Sequence, residues 1–197
     1  MKRVFIIHRW SGSPEKDWLP WLVRSIQTLR PSDIQTHDSY EVFVPSMPDP
    51  DVPTIENWTT HLKHLVGKLL PTDVFIGHSI GCQTILRYLE KLPAGEKADK
   101  VILVAPFLTL KGLETEEEFR IAKPWLRTLI DLRRIPDKAN SYTLLFSDND
   151  PFVPLDENVQ LFKKWINPEI HTLHDKGHFT QDDGIVELPE LLNFLRI

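Results

Sequence analysis

Gly77-His78-Ser79-Ile80-Gly81 follows a short apolar, β-favouring run, Val74-Phe75-Ile76, and leads into Ile80 to Leu89, whose apolar residues recur at helical spacing. That context predicts a strand turning sharply into a helix at Ser79. Glycines two before and two after the serine let the backbone pass close to its neighbours, while the turn thrusts Ser79 Oγ into a cleft, as in a nucleophile elbow. With only 8 glycines in 197 residues, a chance Gly-x-Ser-x-Gly has odds on the order of a per cent, before flanking elements are required. The competing reading is a glycine-tolerant turn whose serine caps the following helix. Serine alone is a poor nucleophile, so the elbow demands a histidine base and a carboxylate to orient it.

Outward from the elbow, strands alternate with helices. Val4-Phe5-Ile6-Ile7-His8 is a continuous apolar strand of the kind buried on both faces. The loop from Arg9 to Lys16 leads to a helix with Trp18, Leu22, Ile26 and Leu29 on one face. Pro20 is tolerated only in the first turn, so this helix starts near Asp17, which can cap it. Pro31 to Tyr40 reads as a polar loop and Glu41 to Val44 as the second strand. Pro45-Ser46-Met47-Pro48-Asp49-Pro50 is too proline-rich for regular structure. Thr54 to Leu69 is helical, with Trp58, Leu62, Leu65 and Leu69 on one face.

Past the elbow, Val101 to Ala105 is the fourth strand, closed by Pro106. Thr109 to Ala139 breaks the rhythm. There Thr115 and Glu118 make a capping box and Pro124 interrupts before Trp125 to Leu132, which predicts a pair of short helices inserted over the strand ends. Tyr142 to Phe146 is the fifth strand, Asp156 caps a helix carrying Val159, Phe162 and Ile166, and Glu169 to Leu173 is the sixth strand. A helix from Glu187 to Arg196 closes the chain. The pattern predicts an α/β fold over residues 1–197 as a single domain, a three-layer αβα sandwich around a mostly parallel six-stranded sheet. In such folds the site lies outside the carboxyl ends of the strands.

Composition narrows the function. A hydrophobic content of 41% and charged content of 26% are ordinary for a globular chain, and a net charge of −5 gives no footprint for nucleic acid or an anionic membrane. The one cysteine, Cys82, excludes an intramolecular disulfide and reads as a small core residue. No signal peptide is visible after Met1-Lys2-Arg3, and no apolar run is long enough to span a bilayer, so a cytoplasmic protein is expected.

Three strand ends supply Ser79, Asp150 and His178, in that chain order. His178 follows a glycine in a loop, which suits a base that must reach another strand end; His171 and His174 lie in or beside a strand. Asp148 and Asp175 rival Asp150, which is preferred because Pro151 forces an extended backbone that lifts it out of the strand. His78 reads as a residue packed beneath the elbow. For the oxyanion, one donor is the backbone amide of Ile80, and the second comes from the loop after the first strand, Trp10 or Arg9. Arg9, Phe107, Trp125, Phe152 and Phe179 are candidates for the wall of a substrate pocket. His61 with His64 and His171 with His174 have no further ligands at metal-site spacing, and Glu116-Glu117-Glu118 reads as a helix N-terminal turn, so neither a metal nor a cofactor is called for.

The same residues resemble the small serine hydrolases related to retinoblastoma-binding protein 9 and bacterial YdeN, a minimal branch of the α/β-hydrolases. The likeness covers essentially the whole chain: Phe5-Ile6-Ile7-His8, the tryptophans at 18 and 21, Met47-Pro48-Asp49-Pro50, the elbow, Asp150-Pro151-Phe152-Val153-Pro154 and Gly177-His178-Phe179. It implies six parallel strands in the order 2-1-3-4-5-6, with Ser79, Asp150 and His178 as the triad. Two departures stand out. Arg9 replaces the glycine usual after the first-strand histidine, restricting the loop and putting a cation at the mouth. The Leu-x-Cys-x-Glu motif of the retinoblastoma-binding branch is absent around Cys82, so no protein partner is carried over. The expected function is hydrolysis of a small ester or amide through an acyl-enzyme. The alternative is a binding protein that kept the fold, with Arg9 recognising a small anion or a protein partner.

Overall fold

The computed structural model describes residues 1–28 and 39–195. The chain runs β1 (Lys2–Ile7), α1 (Leu19–Thr28), β2 (Tyr40–Phe43), α2 (Ile55–Val66), β3 (Val74–His78), α3 (Ile80–Glu90) and β4 (Ala98–Val104). It continues through α4 (Glu116–Arg127), β5 (Ala139–Ser147), α5 (Leu155–Trp165), β6 (Glu169–Leu173) and α6 (Glu190–Leu195). All five strand pairings are parallel, in the order β2-β1-β3-β4-β5-β6. Central strands are apolar because they are covered twice: β3 is buried along its whole length, whereas the edge strands β2 and β6 are not. Helix α1 packs against α6 and α2 against α3, which clothes both faces of the sheet. Strand order reverses between β1 and β3, and the crevice at such a switch point is where a ligand site forms.

Several expectations are corrected. Helix α1 starts at Leu19, and Asp17 does not cap it: its backbone takes a left-handed φ of 56° and its carboxylate bonds Arg9 and the Gln181 amide instead. Asp156 does not cap α5 either, since Pro154 is the N-cap and Asp156 only sits in the first turn. The 109–139 segment holds one α-helix that passes through Pro124, followed by two 3-10 turns, Leu132–Arg134 and Pro136–Lys138. Proline removes a single donor from α4, and the buried Trp125 beyond it keeps the helix docked. The Thr115–Glu118 capping box is present. Leu29, Arg196 and most of the 31–40 loop lie outside the described residues.

The proline-rich stretch after β2 is held by indoles. Trp58 Nε1 donates to Pro48 O at 2.7 Å, Trp10 Nε1 to Asp51 O at 2.9 Å and Trp125 Nε1 to Pro53 O at 3.1 Å. A segment too rich in proline to pair its own carbonyls thus finds donors from three other parts of the chain. Among the described residues, no helix is long and apolar enough to cross a membrane.

Candidate active site

Ser79 sits at φ 54°, ψ −115°, a conformation that L-residues resist, and its amide is fixed by Val104 O at 2.8 Å. Its side chain makes no capping bond to α3, which removes the reading of a mere helix cap. The glycines are sterically required. A Cβ on Gly81 would lie 2.3 Å from Ile7 O, and one on Gly77 would lie 2.8 Å from the Cys82 amide. Cys82 itself is fully enclosed, and burial pushes its thiol well up, leaving it inert.

His178 Nε2 lies 2.8 Å from Ser79 Oγ, and its Nδ1 lies 2.9 Å from Asp150 Oδ2. The other Asp150 oxygen accepts the amides of Phe152 at 2.8 Å and Val153 at 3.0 Å, so the turn after β5 aims the carboxylate. Asp148 turns away to His174 Nδ1 at 2.6 Å and the Asp175 amide. His174 Nε2 in turn meets Asp175, so both imidazole nitrogens of this exposed cluster are taken by carboxylates. His171 pairs with Glu169 and meets the Phe194 ring at a tilt, and His61 and His64 lie on α2.

His78 does more than pack. Its ring is fully buried between Trp18 and His178, and its Nε2 contacts the main-chain carbonyl of His178 at 2.8 Å. A carbonyl only accepts, so Nε2 carries the proton. Nδ1 is left without a hydrogen-bond partner, facing Asp17 Oδ2 at 3.9 Å. Burial, reinforced by the nearby His178, lowers the His78 pKa to about 3, so the ring is neutral. The contact spans a hundred positions of sequence, and no local pattern announces it.

Ser79 and His178 open into a cavity of about 500 Å³ walled by Trp10, Phe107, Leu110, Leu113, Trp125 and Phe152, with α4 as its roof. Ile80 and Trp10 both line it, and neither amide N–H has an acceptor among the described residues. The Arg9–Trp10 peptide is oriented from behind: Arg9 O accepts the Gly12 amide at 3.0 Å and His8 Nδ1–H at 2.8 Å. His8 Nε2 accepts the Met47 amide at 3.1 Å, which fixes that tautomer.

Of the pocket candidates, Phe107, Trp125 and Phe152 are on the wall and Phe179 is not. A left-handed φ of 58° turns the Phe179 ring into the core, where it is wholly enclosed. Arg9 lines the cavity, but its guanidinium is not a free cation: Nε donates to Asp17 Oδ2 at 2.8 Å and Nη2 to Oδ1 at 3.2 Å.

A family model described as serine hydrolase matches residues 4–196. A hydrolase of Bacillus subtilis (strain 168), YdeN, is 28% identical over 195 residues, covering 98% of this chain and 94% of that one. The crystal structure of the B. subtilis ydeN gene product superimposes with a TM-score of 0.84 at 26% identity, over 99% of this chain and 97% of that chain. Est1E from Butyrivibrio proteoclasticus, solved with ferulic acid bound, shares the fold with a TM-score of 0.65 at 14% identity, over 100% of this chain and 90% of the other.

Proposed function

The chain belongs to the serine hydrolase family, and from that premise we propose that it cleaves a small, uncharged carboxylic ester or amide through an acyl-enzyme on Ser79. What carries the reading is the continuous line from Ser79 Oγ through both His178 nitrogens to Asp150 Oδ2, with steps of 2.8 and 2.9 Å, opening into a largely apolar cavity. His178 Nε2 takes the Ser79 proton as Oγ attacks the carbonyl carbon, and delivers it to the leaving group as the tetrahedral intermediate collapses. Asp150 keeps Nδ1 protonated and stabilises the imidazolium. The amides of Ile80 and Trp10 receive the developing oxyanion, each worth roughly 3 kcal/mol of transition-state stabilisation. Water then repeats the cycle in reverse and releases the acid.

Residues 1–197 work in this reading as one hydrolase domain, with the 109–139 segment as an inserted cap whose helix α4 roofs the acyl pocket. Anion recognition by Arg9 loses its motive, because that guanidinium is already ion-paired. A fluorophosphonate should label the protein at Ser79, and Ser79→Ala should abolish labelling and lower ester turnover by roughly a millionfold. Labelling that persists in the variant rejects the proposal.

A further inference from the structure

Arg9 stands where the family resemblance leads one to expect glycine, and its guanidinium is committed on all three nitrogens. Besides the two bonds to Asp17, Nη1 donates to Trp10 O at 3.0 Å. Asp17, whose side chain is 1% exposed, also accepts the Gln181 amide on Oδ1 at 2.9 Å, and its own amide meets Gln181 Oε1 at 3.4 Å. Gln181 opens the turn that follows His178. One buried carboxylate therefore ties the loop carrying the Trp10 amide to the loop carrying the base.

Behind that carboxylate lies the bare Nδ1 of His78, whose other nitrogen holds the His178 carbonyl. A lone pair facing an unneutralised buried carboxylate is a site for a proton; here the guanidinium supplies the positive charge instead. We propose that Arg9 and Asp17 form a positioning pair, which fixes the oxyanion loop against the base loop and keeps His78 uncharged behind His178. The proposal rests on the serine-hydrolase reading above. The charged and titratable groups facing this cluster are Arg9, His8 and Glu15 from the first loop and its strand end, and His178 with Asp150 and Asp183 from the far side.

Loss of the guanidinium leaves the Asp17 carboxylate with the Gln181 amide as its one hydrogen-bond donor among the described residues. A proton from solvent then settles on His78 Nδ1, completing an imidazolium–carboxylate pair. That second positive charge opposes the one His178 must acquire when Ser79 attacks, and the loosened loops misplace the oxyanion donors.

The test compares wild type, Arg9→Met, Arg9→Lys, Asp17→Asn and the double variant Arg9→Met/Asp17→Asn. Fluorophosphonate labelling and p-nitrophenyl acetate turnover are followed from pH 5 to 9, with the His78 ring observed by nitrogen NMR. Arg9→Met should lose about 100-fold in kcat with KM little changed, and its His78 should be an imidazolium at neutral pH. The double variant, free of both charges, should keep His78 neutral and recover about tenfold over Arg9→Met. Arg9→Lys keeps the charge without the fork and should show a neutral His78 with intermediate turnover. If Arg9→Met does not fold, Arg9→Lys and the double variant against Asp17→Asn carry the comparison. Wild-type turnover in Arg9→Met, a neutral His78 in its spectrum, or a double variant no better than Arg9→Met overturns the pair. Wild-type protein that takes up no fluorophosphonate overturns the hydrolase reading instead, which keeps the two failures apart.

Discussion

The Nε2–H of His78 reaches the main-chain oxygen of His178 at 2.8 Å, so an imidazole buried beneath Ser79 grips His178 by its backbone. His178 is otherwise held at its amide by Asp183 Oδ2 at 2.9 Å and at its ring by Asp150. Replacing His78 with phenylalanine preserves ring bulk and strands that carbonyl, at a cost of about 1–3 kcal/mol of stability. On the proposed mechanism turnover should fall about tenfold or more with KM little changed, because misplacing His178 as general base taxes the chemical step and not ground-state binding. Chemical denaturation beside steady-state kinetics separates the two effects.

Stability should fall on acidification, beginning below neutrality. Folded His78 stays neutral down to about 3, its burial being the main cause, whereas an unfolded imidazole binds a proton near the ordinary 6.5. Between those values the unfolded chain holds more protons, so its free energy drops relative to the native state as pH decreases. Asp17 adds to the same trend at lower pH. Burial, the largest influence, opposes its ionisation, but the Arg9 hydrogen bonds, the facing His78, the Gln181 amide and the Arg9 charge together depress its pKa below the usual 3.8. Its contribution is present above the unfolded value and is lost as the carboxyl protonates. Urea midpoints measured from pH 7.5 down to pH 4 should decline, and the decline should be shallower in His78→Phe.

A third outcome concerns His8. It accepts the Met47 amide on one nitrogen and donates to Arg9 O from the other, so it hands the geometry of the Met-Pro-Asp-Pro turn to the Arg9–Trp10 peptide. Burial, its largest influence, lowers its pKa and keeps the ring in this neutral donor–acceptor form. His8→Phe should leave ester binding nearly intact and reduce kcat by about tenfold. That is less than the hundredfold or more seen for removing an oxyanion donor outright, since the Gly12 amide still holds Arg9 O.

What could be read from the chain was what is decided locally or by periodicity. The elbow glycines, the apolar central strands, the capping box at Thr115 and the Asp150-Pro151 turn each announce themselves within a few residues. What could not be read was decided across the fold. Asp17 is a reasonable helix cap by position, yet a guanidinium eight residues earlier and an amide far down the chain outcompete the helix for its carboxylate. Phe179 adjoins His178, but its left-handed backbone sends the ring inward. Arg9 suggested a cation at the mouth because its buried partner is visible only once the loops are folded. The place of His78 beneath the elbow follows from its position beside Ser79, while its grip on the His178 carbonyl depends on two segments a hundred positions apart.

Substrate preference follows from the wall chemistry. Apart from Ser79 and His178, the cavity is lined by aromatic and aliphatic side chains, by Ser11 and Thr180 and by the acidic residues Glu118, Asp182 and Asp183, while Arg9, the one arginine or lysine among the described residues lining it, is neutralised by Asp17. An acyl group carrying its own negative charge finds no counter-ion there and meets like charges, so p-nitrophenyl esters of neutral acids should be preferred to the half-ester of succinate. Ala122 faces the same space from α4. Enlarging it in Ala122→Leu subtracts volume from this cavity and leaves Ser79, His178, Ile80 and Trp10 unchanged. One or two methylenes of a substrate are worth roughly 1–3 kcal/mol in such a pocket. The variant should therefore lose about tenfold or more in kcat/KM on octanoate ester while acetate ester is hydrolysed much as before. An equal loss on both esters places the acyl chain elsewhere, away from the roof formed by α4.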